Sequence, residues 1–255
     1  MAESRKQDDG HSEYFGKSEL LVSENSLASY NQFIIKEFIK FSKLDRSSSK
    51  NGNGITFRTL DFGAGYGTLA LIWRELTGQK VECLEIDTEQ LREIEARGFI
   101  GWNSIDLVEN RFKFIYSSNV LEHIENDQEC LNELVTLLEH GGRIGIYVPA
   151  FMVLFSDLDR SVGHYRRYER KELIRKVEDA GLMVVRCKYV DSLGFFASLV
   201  IRVLGWKSVG NIGSASSLKL YDTLIFPISR RIDKITFGRI LGKNLLLIAE
   251  KNTSN

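Results

Sequence analysis

The sequence predicts an α/β fold, a mostly parallel sheet carrying helices on both faces. Three observations lead there. From residue 55 onward, short β-branched and aromatic runs alternate with segments of helical spacing. A glycine-rich turn, Gly63-Ala64-Gly65-Tyr66-Gly67, joins the first strand of that series to its first helix. Two closing strands, 183–190 and 244–250, are separated by an apolar stretch too long for a hairpin.

The elements follow in order. Residues 1–17 are polar and of mixed charge, neither a signal peptide nor a transit peptide. Ser23-Glu24-Asn25-Ser26 can open a helix to Lys43, with Leu27, Tyr30, Phe33, Ile34, Phe38 and Phe41 near helical spacing. Such a helix either lies over a ligand mouth or packs on the sheet. Residues 43–54, rich in Ser, Asn and Gly, form a flexible connection. The chain thus divides into an N-terminal arm (1–54) and a main domain (55–255). In the main domain, 55–59 has strand character and 68–76 helical spacing. Residues 81–87 form the second strand, 88–98 a helix ending at glycine, 99–106 the third strand and its exit, and 112–119 the fourth. Residues 128–139 form a helix closed by His140-Gly141-Gly142, with His140 as a cap. The fifth strand, 143–149, ends at Pro149, and a helix spans 172–180 up to Gly181.

The glycine turn has the spacing G-x-G-x-G. A phosphate-cradling loop ends in Gly-Lys-Ser/Thr, and no lysine is present. The dinucleotide fingerprint needs G-x-G-x-x-G, and Gly67 comes one residue too early. Asp61, two residues before the first glycine, suits a cationic amino-acid moiety better than a pyrophosphate. Glu85, at the tip of the next strand, can accept both hydroxyls of a ribose; its plainer reading is an exposed cap, a role better suited to Asp87. Asp61, Gly63, Gly65, Gly67 and Glu85 together resemble the nucleotide-binding loop of class I S-adenosylmethionine-dependent methyltransferases.

Two further blocks carry the resemblance. Ser118-Asn119-Val120-Leu121-Glu122-His123-Ile124 is similar to the fourth-strand motif of a subgroup that includes the ubiquinone-biosynthesis O-methyltransferases. Gly163-His164-Tyr165-Arg166-Arg167-Tyr168 resembles a block found in uncharacterised methyltransferases with the same motif. The resemblance spans residues 55–190 well and the last strand weakly. It implies a Rossmann-like seven-stranded methyltransferase sheet; the apolar helical insertion (192–243) before the last strand is not explained by it. It also implies S-adenosyl-L-methionine as cofactor, with Ser118 and Asn119 at its methionine part and Asp106 at the adenine amino group. An ordinary loop role is open for Asp106.

His164 is the first candidate for the base that deprotonates an acceptor, since a neutral imidazole titrates near pH 6.5, about the working range. His123 is the second, although Glu122-His123 can equally serve to fix the loop. Arg166, Arg167 and Tyr165 are candidates for acceptor binding, because guanidinium forks suit phosphate or carboxylate; a solvated helix start is the alternative for Arg167. The few His and Cys lack ligand spacing, so no metal is demanded.

Composition narrows the function further. Of 255 residues 43% are apolar, enough for a sizeable core, and 34 basic residues balance 34 acidic ones, so no nucleic-acid partner is expected. Cys83, Cys130 and Cys187 are scattered among apolar neighbours, which suits reduced thiols in the cytoplasm. The insertion contains helices at 192–206 and 218–235, the latter interrupted at Pro227. It can pack on the sheet, close as a lid or touch a membrane surface through 192–206. The expected reaction is methyl transfer to oxygen, ahead of nitrogen or carbon, on a small-molecule, lipid-linked or glycan acceptor. Two other classes compete. A nicotinamide-dependent oxidoreductase is opposed by Gly67 and Asp61, and a non-catalytic methyltransferase-like protein by the intact glycines and Glu85.

Overall fold

A computed structural model describes residues 26–44, 57–204, 214–236 and 238–253. The polar segment 1–17 and most of the 43–54 connection lie outside these residues.

Helix α1 (Ala28–Phe41) is followed by the alternating series β1 (Thr59–Phe62), α2 (Thr68–Thr77), β2 (Val81–Leu84), α3 (Thr88–Ala96), β3 (Ile100–Trp102) and β4 (Phe112–Ser118). Then come α4 (Asp127–Leu137), β5 (Leu138–Pro149), α5 (Asp157–Ser161), α6 (Arg170–Asp179) and β6 (Leu182–Val190). The insertion holds α7 (Ser192–Leu204), α8 (Ala215–Leu220), a π-helical turn (Tyr221–Ile225) and α9 (Phe226–Ile235); β7 (Asn244–Lys251) closes the sheet. The seven strands lie in the order β3-β2-β1-β4-β5-β7-β6, with only the β7 pairings antiparallel.

Both faces are apolar, so the strands lack polar alternation, as a sheet covered on two sides requires. On β7, Leu245, Leu247 and Ala249 join one core cluster while Leu246 and Ile248 join the other. Helices α4 and α6 cover the first face. Helices α1, α2 and α3 cover the second, where Trp73 stacks on Phe114 and Tyr116 at centroid distances of 5.4 and 5.3 Å. Helix α1 therefore packs on the sheet, the second of its two expected placements. Its Phe38 sits so close to β5 that a Cβ at Gly145 would come within 2.7 Å of it.

Several boundaries differ from the sequence expectation. The first strand is Thr59–Phe62, so its tip rather than its body leads into the glycines. Strand β5 starts at Leu138, and His140 lies within it instead of capping a helix. The chain leaves α4 directly into strand pairing, Leu138 with Phe112, and a register shift absorbs the two glycines. In the insertion, the break comes at the π-helical turn just before Pro227, whose ring gives no N–H to the carbonyls of that wider turn.

Two acids, Asp191 buried and Asp233 half-buried, fasten the insertion to the exit of β6. Asp191, fully buried at φ 71°, accepts from Ser229 Oγ (2.9 Å), Tyr221 Oη (2.6 Å) and the Gly194 N–H (3.1 Å). Asp233 accepts from the N–H groups of Asp191 (2.7 Å) and Ser192 (3.1 Å). A third, Asp222, accepts the first free N–H groups of α1, from Ser29 (2.9 Å) and Tyr30 (2.8 Å). Cys83, Cys130 and Cys187 are buried free thiols. No helix among the described residues is long and apolar enough to cross a membrane.

Candidate active site

Parallel strands direct their C-terminal tips to one edge of the sheet, where ligands of open α/β folds bind. At β1, three glycines with φ of 71°, 55° and 76° (Gly63, Gly65, Gly67) turn the chain into α2. Gly63 lies directly on the β4 exit: a Cβ there would stand 2.3 Å from Val120 Cγ2. The N–H groups of Gly63 and Ala64 bond to Leu84 O at 2.9 and 3.1 Å. Gly67 precedes α2 without a side-chain cap, and that helix start faces the loop.

Glu85, just past β2, is buried and links the loop to its own strand exit. Its Oε2 accepts from Gly65 N (2.8 Å) and its Oε1 from Asp87 N (3.0 Å). Burial pushes its pKa up, and these backbone donors only partly pull it back. Asp87 caps α3 through Glu89 N and Gln90 N, as expected of it. Asp61 is buried within β1 and accepts from Tyr116 Oη at 3.1 Å. At the neighbouring tips, Asp106 is exposed on the turn Ile105–Leu107, Ser118 is half-buried, and Asn119 is exposed at φ 55° with its N–H on Tyr147 O (2.8 Å).

The left-handed Asn119 sends the chain under Gly63 and into the 3-10 turn Leu121–His123. There the fold assembles a polar cluster. Glu122 is fully buried, and neither of its carboxylate oxygens has a hydrogen-bond partner. Burial pushes its pKa up to about 8, against the opposing pull of the Arg167 charge. His123 meets His164 edge-to-face, with ring centroids 4.5 Å apart. Burial, and then the neighbouring His164, push the His123 pKa down to about 4. His164 Nδ1 lies 2.9 Å from Asp159 Oδ1, and its Nε2 lies 3.9 Å from Glu122 Oε1.

Asp159 organises this corner. Its carboxylate holds Arg167 through Nε (2.8 Å) and Nη2 (3.1 Å), accepts from Ser156 N (2.8 Å) and Oγ (3.0 Å), and completes the capping box of α5. Burial alone would raise its pKa, but the bonds from His164 and Arg167 outweigh that and hold it well below the usual carboxylate range.

The structure brings His123 and His164 together, although 40 residues intervene, and adds Glu122 to them. It directs two other candidates elsewhere. Arg167 is buried with its fork on Asp159, and Arg166 pairs with Asp127 (2.9 Å) and donates to Glu125 O (2.7 Å). In the folded chain both guanidinium groups are paired with internal acids. Tyr165 remains exposed, its N–H on Glu122 O (2.8 Å). The expectation that His and Cys lack ligand spacing also needs correction: single donor atoms of Glu122, His123 and His164 lie within 4.8 Å of one another. Asp159 escaped the sequence reading, although the Ser156-x-x-Asp159 pattern before the histidine was its signal.

Residues 60–146 match the family model described as a methyltransferase domain. Solved structures extend the likeness to nearly the whole chain. This is the class I methyltransferase fold. Phosphoethanolamine N-methyltransferase 2 of Haemonchus contortus, in complex with S-adenosyl-L-methionine, is 15% identical with a TM-score of 0.59, covering 96% of this chain and 59% of that one. The plantazolicin methyltransferase in complex with SAH is 11% identical at TM-score 0.58, covering 94% and 91%. A candidate sarcosine dimethylglycine methyltransferase from Galdieria sulphuraria is 20% identical at TM-score 0.57, covering 89% and 85%. No curated protein matches the chain.

Proposed function

We propose that this methyltransferase-fold protein uses S-adenosyl-L-methionine to methylate a hydroxyl on a small-molecule, lipid-linked or glycan acceptor. One observation carries the reading: the glycine cradle and the polar cluster share a wall. Gly63 rests on Val120, and Glu122-His123 follow at once. The matched domain and the cofactor-holding neighbours support that cofactor.

The residues fit it. The three glycine positions put no side chain of their own into the turn, and the start of α2 faces it. Glu85 is the carboxylate for the ribose, Asp61 the acid near the amino-acid end, and Ser118, Asn119 and Asp106 the polar groups on adjoining strand tips. Bound there, the cofactor supplies an electrophilic methyl group, so the protein's own task is alignment and proton handling. Asp159 anchors His164 Nδ1, which leaves Nε2 to take the acceptor proton, with His123 edge-on beside it. Tyr165 lines the approach.

The insertion supports an acceptor delivered from a membrane. Phe196, Val200, Val203 and Leu204 form an exposed stripe on α7, and Leu220, Leu224 and Ile228 continue one along the next helices. Arg202, Lys219, Arg231 and Lys234 are exposed among them, while Asp222 and Asp233 are turned inward. An apolar and basic surface suits an anionic bilayer.

Titration calorimetry with S-adenosylhomocysteine tests the cofactor half. Wild type binds, and Glu85→Gln weakens binding about 10- to 100-fold, the worth of a charged hydrogen bond. No binding by the wild type refutes the reading. Binding without transfer of labelled methyl to any lipid or aqueous acceptor fraction favours a non-catalytic role.

A further inference from the structure

Glu122 poses a physical problem that its surroundings answer. It is wholly buried, and both carboxylate oxygens lack hydrogen-bond partners. Such a group is costly unless a counter-charge sits against it. Arg167 is a positive side chain on this side; its Nε and Nη2 are committed to Asp159 at 2.8 and 3.1 Å, and its buried Nη1 makes no hydrogen bond to Glu122 although its charge is felt there. What faces Glu122 is a pair of imidazoles. His164 Nε2 is 3.9 Å from Oε1, and one donor atom from each of Glu122, His123 and His164 lies within 4.8 Å of the other two.

Outer partners orient both rings. His164 Nδ1 is bound to Asp159, so its Nε2 points toward Glu122. His123 bonds to the backbone of Gly163, the residue before His164. Imidazoles that ligate metals commonly have their second nitrogen held by a carboxylate or a backbone carbonyl, which fixes tautomer and direction.

We propose that Glu122, His123 and His164 bind one divalent first-row transition-metal ion. Two imidazole nitrogens and one carboxylate oxygen make a three-ligand set of the catalytic kind, which leaves positions open for water or an acceptor oxygen. That donor set suits Zn²⁺, Mn²⁺ or Fe²⁺ better than Mg²⁺ or Ca²⁺, which prefer all-oxygen shells. The proposal deepens the methyltransferase reading and rests on this cluster being where the acceptor meets the cofactor. The positive charge there favours the ionised acceptor hydroxyl, whose proton passes to water. The new O–CH₃ bond forms as the S–CH₃ bond breaks. With the ion present, His164 Nε2 is a ligand instead of a proton acceptor.

The test uses full-length protein freed of metal with a chelator and titrated with Co²⁺, followed by visible d–d absorption and equilibrium dialysis. Wild type takes up one Co²⁺ per chain. Glu122→Gln and His164→Gln each lose at least about tenfold in Co²⁺ affinity, and Asp159→Asn loses about 10- to 100-fold through the misoriented ring. Thermal stabilisation by S-adenosylhomocysteine in the same samples shows that each variant is folded. If Glu122→Gln does not fold, His164→Gln carries the comparison. Stabilisation by S-adenosylhomocysteine without stoichiometric Co²⁺ uptake overturns the metal site alone, as does equal Co²⁺ affinity in the folded variants. No stabilisation of the wild type overturns this proposal together with the reading beneath it.

Discussion

Gly63→Ala probes the seam between the two halves of the site. Gly63 has φ 71°, and a Cβ there would stand 2.3 Å from Val120 Cγ2 and 2.7 Å from Cγ1. The left-handed backbone costs a non-glycine residue about 1–2 kcal/mol. Forcing a methyl into packed space adds about 1–3 kcal/mol. The expected loss is therefore about 2–5 kcal/mol, a large share of the roughly 5–15 kcal/mol that holds a typical domain. At about 2–4 °C per kcal/mol for a chain of this size, Tm falls by about 4–20 °C. Calorimetry on Gly63→Ala, Val120→Ala and the double variant separates the two costs. Trimming Val120 relieves the clash but not the backbone strain, so the pair should couple favourably by about 0.5–3 kcal/mol. An unchanged Tm in Gly63→Ala, or purely additive losses in the double variant, would refute the close approach of the two strand exits.

Other consequences are open to measurement. Burial alone would raise the Asp127 pKa, but hydrogen bonds from Lys176, Tyr168 and Arg166 outweigh it and depress the folded value below the unfolded one, about 3.9. Its stabilisation is complete above that unfolded value and is lost as pH falls through the folded one; urea denaturation from pH 6 to 3 should show a shallower acid decline in Asp127→Asn. Asp222→Ala should cost about 1–2 kcal/mol and speed amide exchange at residues 29 and 30, because it strips the acceptor from two buried N–H groups. Exchange at wild-type rates there would contradict the tie. Sedimentation with vesicles of anionic lipid should retain the wild type and release an Arg231→Glu/Lys234→Glu variant, since each cation near such a surface contributes about 1 kcal/mol; equal retention would remove the membrane reading.

The fold was legible because its signals are local. Short β-branched and aromatic runs between segments of helical spacing marked the strands, and glycines at every second position between β1 and α2 could be read without knowing what lay beside them. The cluster was legible only in pieces. Glu122, His123 and His164 stood out as residue types in recognisable blocks, but their meeting depends on how the loop after β5 folds back onto the β4 exit. Arg166 and Arg167 have internal pairings that were hidden for the same reason. Their chemistry suits an external oxyanion, and nothing in the order of residues shows that Asp127 and Asp159 reach them first. His140 failed differently: a glycine pair after a helix reads as a terminator, whereas here it is a bulge at the start of a strand. The three acids that fasten the insertion were invisible, since each contacts a partner far along the chain.

The widened turn at Tyr221–Ile225 makes the chain intolerant of length changes at that point. Adjacent residues there reach separate anchors, Tyr221 to Asp191 and Asp222 to the start of α1. Deleting one position would restore ordinary winding, since the five residues of the wide turn cover nearly the same rotation as four at about 100° each. It would, however, take away one of the two adjacent anchor positions. Phe226, fully enclosed beside Tyr30 and Phe33, and Ser229, on Asp191, would keep their seats while the tie to Asp191 or to α1 was lost. Relatives that keep these anchors should therefore vary in the segment between α7 and α8 and hold the spacing from 221 to 229 constant.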